Sequence, residues 1–150
     1  MITVWMQRSN LGMSPRALID TGPMAAYLNQ RDHWHAWADE VFARIPGPYL
    51  TTESNISEAC HILERQAVKG SLALYRLLDT GLIQVASLHE NLPEVQAHVA
   101  KFQDRRVDFA DACLVVLAGR FPRLPIVTTD RADFTVYLRG HSERLVMPPR

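Results

Sequence analysis

The sequence predicts an α/β fold, in which one domain contains a mostly parallel sheet with helices on both faces. Short apolar runs typical of buried strands alternate along the chain with longer segments in which apolar residues recur at helical spacing. The chain has 150 residues, 47% of them hydrophobic and 21% charged. This size and composition are typical of a single folded domain.

The first strand is predicted at residues 16–19, an apolar run followed by Asp-Thr-Gly-Pro turn chemistry. A helix is expected to begin within residues 24–28. Residues 33–45 carry apolar side chains at helical spacing, and a Pro-Gly-Pro sequence ends that pattern. Trp34 and Trp37 in this second helix are predicted to be core residues or, alternatively, an exposed patch for a partner.

The middle of the chain continues the alternation. Residues 49–50 form a very short predicted strand, and Thr51 or Thr52 is expected to cap the helix that follows. Residues 71–78 form the next predicted helix, which closes near a glycine and leads into a strand at residues 83–86.

Two helices and two strands are predicted in the last part of the chain. Residues 92–102 are amphipathic with a proline in the first turn, and residues 109–119 form the most apolar helix, which is expected to be central. Residues 125–128 read as a strand, residues 130–133 as a turn, and residues 145–147 as the last strand.

Residues 1–15 are predicted to be an N-terminal extension, disordered, ahead of a domain that spans residues 16–150. No segment reaches the roughly 18 apolar residues that a membrane span needs. Cys60 and Cys113 lie on apolar helical stretches without zinc-type spacing, which is typical of reduced thiols in a cytoplasmic protein. Equal numbers of basic and acidic residues, 16 each, exclude nonspecific nucleic-acid binding through net charge alone.

Acidic residues stand at the edges of several predicted core elements. Asp20 and Asp130 follow strands, while Asp108 and Asp111 lie in the first turn of the central helix. Glu58 lies beside the apolar stripe of its helix. Ligand sites in parallel sheets form beyond the carboxyl ends of the strands, so these side chains are expected to converge there.

Each acidic residue also has an ordinary structural explanation. Asp20 and Asp130 could be turn residues, Asp108 could be an N-cap, and Glu58 could be a solvated helix residue. Asp133 is predicted to belong only to the turn. The order strand-Asp, helix-Glu, helix-Asp, strand-Asp favours a shared site over these separate roles.

Convergence would make the carboxylates repel one another. Two carboxylates about 5 Å apart at an effective dielectric near 20 repel by roughly 3 kcal/mol, so such a group needs a cation or protons. Because the group offers oxygen ligands alone, Mg²⁺ or Mn²⁺ is favoured over Zn²⁺. A hard cation with open coordination positions suits phosphoryl chemistry.

Four sequence segments resemble the PIN-domain family, and specifically the VapC-type toxins of bacterial toxin–antitoxin pairs: ALIDTGP, TTESNISEA, DFADACLVVLAGRF and IVTTDRADF. The similarity covers about residues 17–147. The resemblance implies a single PIN-like domain with a five-stranded parallel sheet, and metal-dependent endoribonuclease activity. It also implies a homodimer and a small antitoxin whose tail covers the acidic pocket.

The resemblance carries over to particular acidic residues. Asp20, Glu58, Asp111 and Asp130 match the acidic quartet of the family, and Asp108 matches another characteristic position. On this reading Asp20, Asp111 and Asp130, with Asp108, hold one or two Mg²⁺ ions, for which Mn²⁺ can substitute. Glu58 completes the shell or orients the attacking water. Whether Asp108 or Asp111 touches the metal stays open.

Hydroxyl and basic residues complete the predicted site. Thr21 and Thr129 match the small hydroxyl positions beside the acids, where they would orient a ligand or water. Arg131, Arg120 and Arg123 are the candidate contacts to the RNA substrate, or else solvated surface arginines.

The predicted function is therefore Mg²⁺- or Mn²⁺-dependent hydrolysis of RNA by the toxin of a type II toxin–antitoxin system. The alternative is a catalytically silent PIN-fold module that binds RNA or protein. A receiver-type domain is disfavoured because it needs adjacent acids at its first strand and a lysine after its last.

Overall fold

The computed structural model describes residues 13–87 and 91–150. Most of the predicted N-terminal extension, residues 1–12, lies outside the described residues. The strands are β1 (Ala17–Ile19), β2 (Tyr49–Thr52), β3 (Ile83–Ala86), β4 (Ile126–Val127) and β5 (Leu145–Val146). The α-helices are α1 (Thr21–Leu28), α2 (His35–Arg44), α3 (Glu53–Gln66), α4 (Leu72–Asp79), α5 (Leu92–Lys101), α6 (Phe109–Arg120) and α7 (Arg131–Tyr137).

The five strands form one parallel sheet in the order β3-β2-β1-β4-β5. This confirms the predicted α/β class and the parallel sheet. β1 lies at the centre, with Ala17 opposite Tyr49 of β2 and Ile19 opposite Val127 of β4. The strand order reverses between β1 and β4, and the carboxyl end of the sheet at that switch point is where parallel α/β folds place their ligands.

Alternate residues of the central strands face two separate cores. Ala17 and Ile19 belong to a core formed with α1 to α4, whereas Leu18 packs on the opposite face with α6 and α7. Trp37 is buried in the first core and Trp34 packs against it. These two tryptophans are therefore core residues rather than an exposed patch.

Two elements depart furthest from the sequence prediction. Helix α1 begins at Thr21, three residues early, because Asp20 caps it directly after β1. Helix α7 occupies the segment predicted as a turn, so that prediction was wrong. Its seven residues give a weak helical pattern in sequence, but Asp130 caps the helix and Phe134 anchors it in the second core.

Within the described residues, no helix combines the length and the apolar character that crossing a bilayer requires.

A glycine near the start of α1 allows that helix to approach the turn after β4. A Cβ at Gly22 would overlap Thr129 Oγ1, whereas a Cβ at Gly119 in α6 would meet nothing within 4 Å. We expect Gly22→Ala to lower the free energy of unfolding by about 1–2 kcal/mol through overpacking. Gly119→Ala should raise it by roughly 0.5–1 kcal/mol through helix propensity.

Urea denaturation of the two variants measures the difference. The double variant Gly22→Ala/Thr129→Ala should recover part of the loss, because it removes the obstructing hydroxyl. If Gly22→Ala has the same free energy of unfolding as wild type, the close approach of α1 to this turn is contradicted.

Candidate active site

The side chain of Asp20 lies buried at the carboxyl end of β1, with 5% of the residue exposed. Its Oδ1 accepts hydrogen bonds from the Thr21 backbone N (2.8 Å) and from Asn55 Nδ2 (3.1 Å). Its Oδ2 accepts from Thr128 Oγ1 at 2.7 Å. Burial nevertheless raises the pKa of Asp20 to about 6, and the nearby charges of Glu58 and Asp130 add to the rise.

The start of α3 supplies two further polar groups. Thr52 caps the helix, and its hydroxyl donates to Oδ1 of the buried Asn55 at 2.5 Å. This bond orients the Asn55 amide so that Nδ2 donates to Asp20 and to Thr21 Oγ1. Glu58 lies one turn further along and its Oε2 accepts from Thr21 Oγ1 at 2.8 Å. The first turns of α3 therefore face the end of β1.

Three carboxylates converge beside Asp20. Oxygens of Asp111, Asp130 and Asp133 all lie within 4.8 Å of one another. Asp130 is fixed by two bonds: its backbone N donates to Thr128 Oγ1 (3.0 Å), and its Oδ1 accepts from Asp133 N (3.0 Å).

The pKa of Asp111 is raised to about 8. Burial is the largest cause, followed by the charges of Asp20, Asp108, Asp130 and Asp133. Asp111 and Asp20 therefore hold protons at a pH where ordinary carboxyl groups are ionised. A cation bound among these carboxyl groups would stabilise their ionised forms.

Asp108 has the capping role that the sequence left open. Its Oδ1 accepts from the backbone N of Ala110 (2.8 Å) and of Asp111 (3.4 Å) at the start of α6. It is exposed and lies outside the group of three close carboxylates. Asp111 is thus the member of the pair that meets Asp130.

The predicted hydroxyl residues are placed differently from each other. Thr21 belongs to the network around Asp20, but Thr128, not Thr129, donates to the Asp20 carboxylate. Thr129 packs against Gly22 instead. The two threonines follow β4 in succession, so the sequence alone could not decide which of them faces β1.

The predicted arginines do not gather at the carboxylates. Arg131 Nη2 donates to the Pro148 carbonyl at 2.6 Å. Arg120 is the last residue of α6 and donates a hydrogen bond to Asn91 Oδ1. It lies nine residues from Asp111, which is about 14 Å along the helix axis. Arg123 follows beyond that end, so neither Arg120 nor Arg123 lies beside the acidic group.

Sequence reasoning missed Arg105 and Asp133, which form an ion pair at the edge of the group. Arg105 Nη1 lies 3.2 Å from Asp133 Oδ1, and each side chain is about one-third exposed. Had helix α7 been predicted, Asp133 would have been recognised as a site residue, because it lies in the first turn after Asp130. Arg105 lies in the segment between α5 and α6, where no periodic signal marks it.

Tyr137 supplies a buried hydroxyl next to the same carboxylates. Among the described residues its hydroxyl has no hydrogen-bond partner. Burial and the charges of Asp133, Asp111 and Asp130 raise its pKa to about 12. A buried donor without a partner beside carboxylates that hold protons fits a site completed by an ion and its hydration.

No protein-family model matches the sequence. Ribonuclease VapC26 of Mycobacterium tuberculosis is 32% identical over 124 residues, which are 79% of this chain and 89% of that protein. The chain belongs to the VapC ribonuclease family.

Two solved structures show the same fold. VapC20 of M. tuberculosis, described as a toxin that cleaves the sarcin-ricin loop, superposes with a TM-score of 0.72 at 20% identity, covering 80% of this chain and 93% of that one. A toxin–antitoxin complex from Klebsiella pneumoniae gives a TM-score of 0.60 at 16% identity, with 89% and 98% covered. The predicted VapC-type PIN fold is thereby confirmed.

The raised pKa values of Asp20 and Asp111 predict how the stability of this VapC protein depends on pH without metal. Between about pH 4 and pH 8 the folded protein holds protons at these carboxyls that the unfolded chain has released. Their contribution to the free energy of unfolding therefore falls as pH rises through this window. Melting temperatures in EDTA should show this decline.

Asp111→Asn should flatten the decline, because the amide does not ionise. Asp79→Asn, at an exposed position at the end of α4, is the matched control and should keep the wild-type slope. Identical slopes for all three proteins would contradict the burial of Asp111 among its acidic neighbours.

Proposed function

We propose that this protein is a Mg²⁺- or Mn²⁺-dependent endoribonuclease that hydrolyses RNA phosphodiester bonds as the toxin of a type II toxin–antitoxin pair. Membership in the VapC family supports the ribonuclease reaction. The observation that carries the metal dependence is the approach of Asp111, Asp130 and Asp133 within 4.8 Å of one another, beside the buried Asp20. Such a set of hard oxygen ligands suits Mg²⁺ or Mn²⁺.

We assign the cation to Asp111, Asp130 and Asp133, with Asp20 at the inner side of the group. Its chemistry, when bound, is to lower the pKa of a water molecule and to neutralise charge on the attacked phosphate. Asp108 keeps its role as the cap of α6, and its Oδ1 positions Asp111 by accepting a hydrogen bond from the Asp111 backbone N.

The protein groups around the cation orient the reactants. Three donors fix both oxygens of Asp20, so this carboxylate keeps one orientation when its proton leaves. Glu58 uses Oε2 to accept from Thr21, which leaves Oε1 to accept a proton from the attacking water. Thr21 couples the two acids, since its backbone N donates to Asp20 and its hydroxyl to Glu58.

Arg105 is the basic residue that we assign to the substrate. It pairs with Asp133 at the partly exposed edge of the carboxylate group. Exposed ion pairs contribute little to stability, so exchange of this partner is inexpensive. The guanidinium would then bind phosphate oxygens of the RNA in place of Asp133, through bidentate hydrogen bonds.

The partners proposed for this protein follow from its family. The K. pneumoniae neighbour is a toxin–antitoxin complex, which supports an antitoxin partner. We propose that this antitoxin is small and that its tail covers the acidic pocket. We also propose a homodimer, and a cytoplasmic location where the RNA substrate is found.

Asp20→Asn tests the reaction and the metal together. Wild-type protein with Mn²⁺ should cleave RNA, and the variant should lose at least about 100-fold in kcat/KM, the equivalent of about 2.7 kcal/mol of transition-state stabilisation. Mn²⁺ at about 100 times its Kd should raise the melting temperature by roughly 5–10 °C, and the variant should show a smaller rise. Asp39→Asn, exposed on α2, is the control for both measurements.

The outcomes separate three cases. Equal cleavage by wild type and Asp20→Asn would indicate a contaminating nuclease or a wrong site. A Mn²⁺-dependent rise in melting temperature without cleavage would favour the silent binding module. The absence of any rise in folded protein would contradict the metal site.

Arg105→Ala tests the substrate contact. We expect kcat/KM to fall about 10- to 100-fold, because a charge-assisted hydrogen bond contributes about 1.5–3 kcal/mol. Arg105→Lys should recover part of the loss, since it keeps the charge and loses the planar fork. The Arg123→Ala variant should cleave RNA as wild type does. A loss of kcat/KM in that variant would instead support Arg123 as the substrate contact, as the sequence predicted.

A further inference from the structure

A cavity separate from the carboxylate group lies between the start of α3, the helix α5 and the start of α6. Its volume is about 230 Å³. Its apolar wall consists of Leu92, Val95, Phe109 and Cys113. Phe109 is 57% exposed although it is a large aromatic residue, and its ring is therefore accessible to a ligand.

The polar groups of the cavity leave an acceptor at its rim. Ser54 Oγ donates to Cys113 Sγ at 3.7 Å, and the Thr52 hydroxyl donates to Asn55 Oδ1. Both hydroxyl protons are thus used within the protein. The exposed carboxylate of Glu53 completes the lining, and an ionised carboxylate only accepts hydrogen bonds.

The cavity is adjacent to the proposed reaction site on two elements. Ser54 precedes Asn55, whose amide holds Asp20. Phe109 follows Asp108, the cap of α6. Consecutive Cα atoms are 3.8 Å apart, so Ser54 and Phe109 each lie one residue from a residue that is hydrogen-bonded to Asp20 or to Asp111. An RNA strand bound across the carboxylates would therefore bring an adjacent nucleotide towards this cavity.

We propose that this cavity binds one unstacked nucleobase of the RNA, next to the cleaved phosphodiester, and selects a base that carries an exocyclic amino group. This inference rests on the proposed function.

Size and chemistry support this occupant. The volume equals that of about seven or eight waters at roughly 30 Å³ each, which is enough space for a single base. The Phe109 ring offers a stacking surface, as aromatic side chains do in single-strand RNA recognition. Glu53 accepts from an amino group such as cytosine N4 and disfavours the O4 carbonyl of uracil.

Binding of short cytidine and uridine homopolymers of equal length tests the proposal. Fluorescence anisotropy is measured with Ca²⁺ in place of Mn²⁺, which separates binding from cleavage. Wild type should bind the cytidine polymer more tightly. Phe109→Ala should raise Kd for both polymers about 5- to 150-fold, the range for loss of one base–aromatic stack.

Glu53→Gln should remove the preference for cytidine, because an amide can also donate to uracil O4. Val99→Ala, at an exposed apolar position of α5 outside the cavity, is the matched control and should change neither affinity. Should Phe109→Ala fold poorly, Phe109→Leu retains apolar volume without the ring and is expected to show the same loss.

Each result decides one assignment. The base site is overturned if the Phe109 variants bind RNA as tightly as wild type does and wild type binds both polymers equally. That result leaves Mn²⁺-dependent cleavage intact. A change of oligomeric state in Phe109→Ala without a change in RNA affinity also overturns it, because this surface is then a protein interface. Cytidine preference that depends on Glu53, in a protein that does not cleave, supports the base site and contradicts the nuclease.

Discussion

The buried carboxylate of Asp20 is the constraint on which the rest of the site depends. It joins three elements, since it caps α1, accepts from Asn55 of α3 and accepts from Thr128 after β4. Parallel pairing of β1 with β2 and with β4 places those groups within reach. The hydrogen bonds from Thr128 and from the Thr21 backbone lower its pKa, yet burial raises it more, so this carboxyl group ionises at a cost.

Helix N-termini explain how several acids coexist at one edge of the sheet. Asp20, Asp108 and Asp130 cap α1, α6 and α7 respectively. Each cap satisfies backbone N–H groups and lies near the positive end of a helix dipole, which favours negative charge. The capping roles and the site role therefore belong to the same residues. Asp111, which is not a cap, has the pKa raised to about 8.

The surroundings of the acids divide the site into inner and outer parts. On the inner side, the Thr21 backbone N, Asn55 and Thr128 hold Asp20 by hydrogen bonds. On the outer side, Asp133 pairs with Arg105, and both are partly exposed. The inner groups fix the orientation of Asp20, whereas a partly exposed pair can exchange partners when a charged polymer binds.

The sequence by itself determined the parallel α/β class, the strand that precedes each of Asp20 and Asp130, and the approach of the acids to one sheet edge. Local rules carry that information, because strand period, helix period and turn chemistry act over a few residues. The tertiary structure decided which neighbours meet: Thr128 rather than Thr129, Asp133 through the short helix α7, and Arg105 rather than Arg120. Those contacts depend on strand register and helix packing, which residues distant in the chain fix together.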